Sequence, residues 1–277
     1  MRSFPPAPPS ESDRNPPTSN FQLIGVIGTF VVGFMVILAA LNWLASNLVW
    51  FVPYEVEVQL GRAIAPIYEA QAETDSPVAA ELDRLLDELE VNLPSEFGER
   101  DYRILYVDDD TVNAAAIPGD RVIIYRGLLA EAESENELMM VLGHELGHFV
   151  NRDHLRGITR QFALQTASAI VFGDASGLAT IGASIGETLA SAQFSQSQEL
   201  QADTVGLDLL HAHYGHAGGA TAFFDRLSES PAANLAFLAS HPVPKRRVRA
   251  LKNLIRQREY ARADLDALSG PLADIQE

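Results

Sequence analysis

The stretch "LIGVIGTFVVGFMVILAAL", Leu23 to Leu41, runs for 19 residues without a charge. It decides how the rest of the chain can be organised. A helix of that length and composition can cross the hydrocarbon core of a bilayer. The charge-free stretch continues to about Tyr54, and Trp43, Trp50 and Tyr54 stand at its far end, where interfacial aromatics belong. A cleaved leader fits less well, because its apolar core is shorter and starts nearer the terminus. The expectation is therefore an uncleaved, single-pass anchor. Residues 1–20, "MRSFPPAPPSESDRNPPTSN", are rich in Pro, Ser and Asn and read as a disordered, extended tail. The domain plan is a tail over 1–20, an anchor over 21–52 and one globular domain over 53–277.

Arg2 and Arg14 precede the anchor, and Arg62 is the first basic residue after it. The positive-inside rule then places the N-terminus in the cytoplasm and the main domain on the extracytoplasmic, periplasmic side. Gly25, Thr29 and Gly33 recur every four residues, which reads as ordinary membrane-helix composition rather than as a packing seam.

The net charge of −17 and pI near 4.7 leave no basic face for phosphates, so nucleic acid is not an expected partner. There is no cysteine, which excludes disulfides, a thiol nucleophile and thiolate metal sites. Any metal must be held by His, Asp or Glu.

The domain reads as mostly α (α+β). "PVAAELDRLLDELEVN" sets Leu82, Leu85, Leu86 and Leu89 on one helical face. "DYRILYVDDD" and "DRVIIYRG" are short β-rich runs, and "TVNAAAIPGD" between them carries a Pro-Gly turn. Leu128 to Arg152 is helical again. A second apolar stretch, Ile158 to Ala192, is broken by Gly173, Asp174, Ser176 and Gly177 and reads as core helices rather than a span.

"VLGHELGHFVNRDH" holds three of the seven histidines. His144 and His148 are one helical turn apart and project from one side, so both imidazoles can grip one Zn²⁺. Glu145, beside the first, can take a proton from an attacking water and pass it to a leaving amine. This is the H-E-x-x-H arrangement of zinc peptidases. Leu138, Val141, Leu142, Phe149 and Val150 give the helix its apolar face. Gly143 and Gly147 cost about 1 kcal/mol each relative to Ala in a helix, a cost that close approach of another backbone would offset.

A catalytic zinc needs a third protein ligand. His154 has the spacing of the motif H-E-x-x-H-x-x-G-x-x-H, although Asn151 stands where that motif needs Gly. The other candidate is Glu199 in "FSQSQELQADTVGLDLL", with Asp203 one turn on, placed to orient a ligand histidine through its free ring nitrogen.

"HELGHFVNRD", "ELQAD" and "SHPVPKRR", in that order, with "NAAAIPGDRVIIYRGLL" before them, resemble the membrane-associated gluzincin family of HtpX-like heat-shock peptidases and CAAX prenyl proteases. The resemblance covers roughly Pro53 to Leu254. It implies a gluzincin-type zinc peptidase domain with a small β-sheet and one zinc ion per chain. It implies His144, His148 and Glu199 as ligands, Glu145 as base and Asp203 as the carboxylate behind a ligand. It implies that His241 steadies the oxyanion, that Arg247 braces the site, and that Asn113 and the strand through Ala114 and Ala115 bind substrate backbone. One apparent span, and a gap between His148 and Glu199 too short for a membrane hairpin, look like the single-anchor or periplasmic members.

The reading is a membrane-anchored zinc endopeptidase acting on unfolded or damaged membrane or envelope proteins. Its partners are protein or peptide substrates and the bilayer. The rival is a latent or chaperone-like module whose zinc is plugged by a fourth protein ligand, with His241 the candidate plug. "LLHAHYGHAGG" (His211, His213, His216) reads as histidines clustered in a Gly-rich loop after a helix, and "KRRVRALKNLIRQREYARAD" as a solvated basic helix.

Overall fold

The computed structural model describes residues 19–98, 100–159, 193–229, 235–242 and 245–276. The tail over 1–18 and most of the second apolar stretch, 160–192, lie outside the described residues. The apolar run is helical, α1 over Asn20–Leu48. Among the described residues, Asn20–Leu41 is the one stretch long and apolar enough to cross a membrane. The chain divides into two compact units, the second running from Ala45 to Glu277. Residues 45–52, which the apolar pattern assigned to the anchor, group with the domain, and Val49 is fully buried there.

That second unit is mostly helical around a three-stranded sheet. After α2 (Tyr54–Glu69) comes α3 (Pro77–Glu90), whose N-cap Ser76 accepts the Ala79 amide hydrogen and which has Pro at its first turn. Its four expected leucines are all fully buried, each stabilising the fold by about 2 kcal/mol. After α4 (Ser95–Gly98), β1 (Arg103–Val107), β2 (Ala114–Ile117) and β3 (Arg121–Tyr125) pair in the order β1-β3-β2. β1 runs parallel to β3, with Leu105 opposite Ile123, and β2 runs antiparallel to it, with Ala115 opposite Ile123.

The sheet alternates cleanly. Ile104, Tyr106, Ala114, Ala116, Val122 and Ile124 join the main core with α3. Leu105, Val107, Ile117 and Ile123 pack on the other face with Ile64 of α2. Burial on both faces is why the strands read as short continuous apolar runs. β2 lies in the Ala-rich segment that reads by composition only as a turn region.

α5 (Arg126–Glu131) and α6 (Glu135–Val150) replace the single expected helix, because Ser134 interrupts the chain and caps α6 by accepting the Glu137 amide hydrogen. α6 is the central helix: residues 136–149 are buried all round. α7 (Gln196–Tyr214) crosses it, followed by α8 (Ala222–Glu229), α9 (Leu235–Ser240) and α10 (Lys245–Gln257). α7 runs through His211 and His213, and only at Gly215, in the left-handed conformation, does it stop. Two of those clustered histidines are therefore helical, not in a loop.

Candidate metal centre

α6 and α7 meet backbone to backbone. A Cβ on Gly147 would sit 2.7 Å from the carbonyl oxygen of Ala202, and one on Gly206 would sit 2.9 Å from the His144 nitrogen. Small residues at the crossing bring the two helices close enough for side chains from both to share one point. Ser195 and Gln198 form a capping box that starts α7, so Glu199 projects from its first turn.

The structure brings together His144, His148, Glu199 and His241, each offering a ligand atom within 4.8 Å of the others. His144 Nε2 is 3.1 Å from His148 Nε2 and 3.3 Å from His241 Nδ1. Glu199 Oε1 is 3.4 Å from His148 Nε2 and 3.2 Å from His241 Nδ1. All four residues are fully buried.

Each α6 histidine has its other ring nitrogen engaged. His144 Nδ1–H donates to Asp203 at 3.0 Å, and His148 Nδ1–H donates to Asp153 at 3.0 Å. That turns both Nε2 atoms toward each other, and in the neutral rings both carry a lone pair there. Facing acceptors need a cation between them.

The electrostatics point the same way. Glu145, Glu199, Asp203 and Asp153 surround the site, with Arg247 and Arg156 as the guanidiniums against them. Burial lowers the His144 pKa despite its bond to Asp203. At His148 burial pulls the same way, but Asp153 and Glu199 outweigh it and lift the pKa to about 10. The carboxylates around His148 thus favour positive charge at its ring, whether a proton or a metal ion. Burial works against the Glu199 carboxylate too, yet the charges of His241 and Arg247 and the hydrogen bonds from His148 and His241 hold it well below the usual range.

Arg247 braces both α7 carboxylates. Its Nε donates to Asp203 at 2.5 Å, Nη2 donates to the other Asp203 oxygen at 2.7 Å, and Nη1 donates to Glu199. The pKa of Asp203 stays low against its burial because Arg247 and His144 offset that burial.

Glu145 differs from its neighbours: both of its oxygens are buried without a hydrogen-bond partner. His241 Nε2, also unpartnered, is 3.8 Å from Glu145 Oε1. Two orphaned polar groups beside the donor cage fit a reacting molecule held between them.

His154, the other candidate for third ligand, turns away. Its Nε2 lies 2.7 Å from Glu57, and Asn151 is right-handed, so the sharp turn that would return His154 to the cage is absent there. The left-handed residue is Arg152, at φ +54. Among the described residues, His211, His213 and His216 form no second metal cluster.

Asn113 stands near the site, with its Oδ1 accepting from Ser240 Oγ at 3.3 Å, and Ser240 directly precedes His241. Ala114 and Ala115 begin β2, an outer strand of the sheet among the described residues.

Three contributors escape a sequence reading. Asp153 looks like one more polar residue after a helix. Gln198 looks like a cap alone, yet its amide also donates to Asp153 at 2.8 Å. Phe194 stacks on His148 with ring centres 4.0 Å apart, and only its place just before the α7 cap hints at it.

Two imidazoles on one helix, answered by a carboxylate from a second helix and a free glutamate alongside, define a metallopeptidase domain of the gluzincin class. The chain belongs to Peptidase family M48, whose pattern matches residues 74–255, about two thirds of its length. The family implies a metal in this cage. Among similar proteins are the mitochondrial metalloendopeptidase OMA1 of Schizosaccharomyces pombe, 29% identical over 169 residues (58% of this chain, 48% of that one). The metalloprotease LoiP of Escherichia coli is 29% identical over 160 residues (55% of this chain, 61% of that one). A putative beta-barrel assembly-enhancing protease of Vibrio cholerae is 26% identical over 169 residues (56% and 35%). The chain thus spans between about a third and three fifths of these relatives.

Proposed function

We propose that this chain is a membrane-anchored, zinc-dependent endopeptidase. The observation that carries the reading is the convergence of His144, His148 and Glu199 on one point, with Glu145 unpaired beside it. Zinc suits the two-imidazole, one-carboxylate donor set, and one ion per chain fills it. When bound, it would polarise the scissile carbonyl and acidify water.

The chain's own residues do the rest. The substrate backbone adds along Asn113, Ala114 and Ala115, where β2 is paired on one side only among the described residues and the alanine side chains are small. Glu145 takes a proton from the attacking water and delivers it to the leaving amine. His241, through Nε2–H, donates toward the developing negative charge. Asp203 and Arg247 hold His144 and Glu199 in place. α1 tethers the domain to the bilayer, with the domain on the extracytoplasmic side. Unfolded or damaged membrane and envelope proteins are the substrate class, supported by the relative named for beta-barrel assembly.

A second reading has its own observation. His241 Nδ1 sits 3.2–3.3 Å from Glu199 and His144, in the position of a fourth ligand. A site closed that way is latent until His241 withdraws.

The test is casein cleavage by the detergent-solubilised protein with added zinc, comparing wild type, Glu145→Gln and His241→Ala. Cleavage by wild type and none by Glu145→Gln supports the peptidase. Equal cleavage by both removes Glu145 as the base. Activity that appears only in His241→Ala supports the latent reading.

A further inference from the structure

Arg152 and His154 flank Asp153, and both are fixed to the segment that follows the apolar helix. His154 Nε2 is 2.7 Å from Glu57 Oε1, and Arg152 donates to Glu57 Oε2 at 3.2 Å and to the Val49 carbonyl at 2.5 Å. Glu57 is fully buried and also receives Arg100 at 3.0 Å. Arg100 donates to Asp120 at 3.1 Å, and Tyr54 donates to the same carboxylate at 2.5 Å, tying the cluster to the β2–β3 turn. A further link runs through Arg156, which lies 5.8 Å over the Trp50 ring and 3.4 Å from Asp153.

Asp153 itself points the other way, onto His148 and Gln198. What reverses the chain there is the left-handed Arg152. A non-glycine residue keeps that conformation only where its surroundings over-determine it. Here the over-determination comes from Glu57 and Val49.

From this geometry we infer that Glu57 is a positioning residue for the metal centre. By clamping Arg152 and His154 it aims Asp153 at His148, so the affinity of the cage for its ion depends on where the membrane-flanking segment is held. The inference rests on His148 being a ligand. A carboxylate behind a ligand histidine fixes its ring and raises its basicity, and losing it weakens metal binding roughly 10–100-fold. Displacing residues 49–57 would strip Arg152 of both partners, let the turn relax and swing Asp153 away.

The experiment uses the full chain in detergent. Zinc affinity is measured by competition with a chromophoric chelator, and site geometry by the visible spectrum of the cobalt-substituted protein. The proteins are wild type, Glu57→Gln, Asp153→Asn, the double variant and His148→Ala. Expected are a weakening of about 3–10-fold for Glu57→Gln and about 10–100-fold for Asp153→Asn, with altered cobalt spectra in both. The double variant should be no weaker than Asp153→Asn alone, because Glu57 acts through Asp153. Wild-type affinity and spectrum in Glu57→Gln, or effects that multiply in the double variant, overturn the inference. A melting temperature lowered with affinity unchanged does so too. Wild-type zinc binding by His148→Ala would instead remove the ligand reading beneath it. Should Glu57→Gln not accumulate as folded protein, Arg152→Lys takes its place, because it keeps the charge but loses the shared grip on Glu57 and Val49, with a weakening of about 3–10-fold expected and the same cycle against Asp153→Asn.

Discussion

The domain buries two clusters of charged groups, and they differ in how they are balanced. Around Glu57, anions and cations alternate: Glu57 meets Arg100, Arg152 and His154, and Asp120 meets Arg100 and Tyr54. Each carboxylate has its donors. Around His144 the outer groups are paired too, but three imidazole nitrogens and a carboxylate oxygen converge on one point with more lone pairs than protons among them. In the first cluster protein groups alone supply every carboxylate with donors. The second is complete only with a cation. A buried polar cluster therefore marks a binding site when its own members leave charge and lone pairs unmatched, and burial alone does not distinguish the two cases.

The comparison breaks first at Glu145. Glu145→Gln should lose about 10²–10⁴ of casein turnover while still binding one zinc, as read by metal analysis, because it removes a proton carrier and no ligand. Turnover within a few-fold of wild type would put the chemistry elsewhere. Next come the ligands. His148→Ala and Glu199→Ala should lose bound zinc, whereas His154→Ala should keep it with affinity weakened by no more than about tenfold. With free zinc held about 1,000-fold above its Kd, chelation should lower stability by about 4 kcal/mol in denaturant titrations.

The Glu57 cluster should respond in stability. Glu57→Ala leaves Arg152 and His154 buried without their anion and should cost about 3–5 kcal/mol. Its pH signature has a definite sign. Burial alone would raise the Glu57 pKa, but the hydrogen bond and charge of His154, with Arg100 and Arg152, hold it down to about 2 from 4.5. Its stabilisation of about 3 kcal/mol is then fully present above pH ~4.5 and fades as pH falls toward 2. The gap between wild type and Glu57→Gln should narrow over that window in acid unfolding curves.

A smaller effect is expected at the helix crossing. Gly147→Ala drives a methyl into the Ala202 backbone and should cost about 1–3 kcal/mol, with weaker zinc binding as α7 carries Glu199 outward. Smallest is the exposed trio of Arg84 with Glu81 and Glu88 on α3, where Arg84→Ala should change stability by less than about 1 kcal/mol.

These two clusters were not equally legible in the sequence. The cage announces itself through local spacing: His144 and His148 are one turn apart on one helix, and Glu199 and Asp203 one turn apart on another. Even the contact between the helices is foreshadowed by Gly143 and Gly147. The Glu57 cluster draws on four separate stretches, from Tyr54 to His154, with no period to betray it. Asp153 was hidden for a related reason. Its role depends on a left-handed turn at an arginine, a conformation that arginine's own preferences do not suggest. β2 was obscured because its alanines carry little strand propensity, and pairing with β3 decides its shape. His211 and His213 read as a loop because Gly215 follows, although α7 runs right up to it.

The Val49 carbonyl and Glu57 both stand upstream of residue 74, where the family pattern begins. Whoever trims this chain to a soluble form faces a choice that the pattern conceals. A fragment cut at residue 74 would discard the anion that Arg152 and His154 share, and is expected to be poorly folded and poorly metallated. One starting near Ala45 drops Asn20–Leu41, the candidate span, and keeps the clamp.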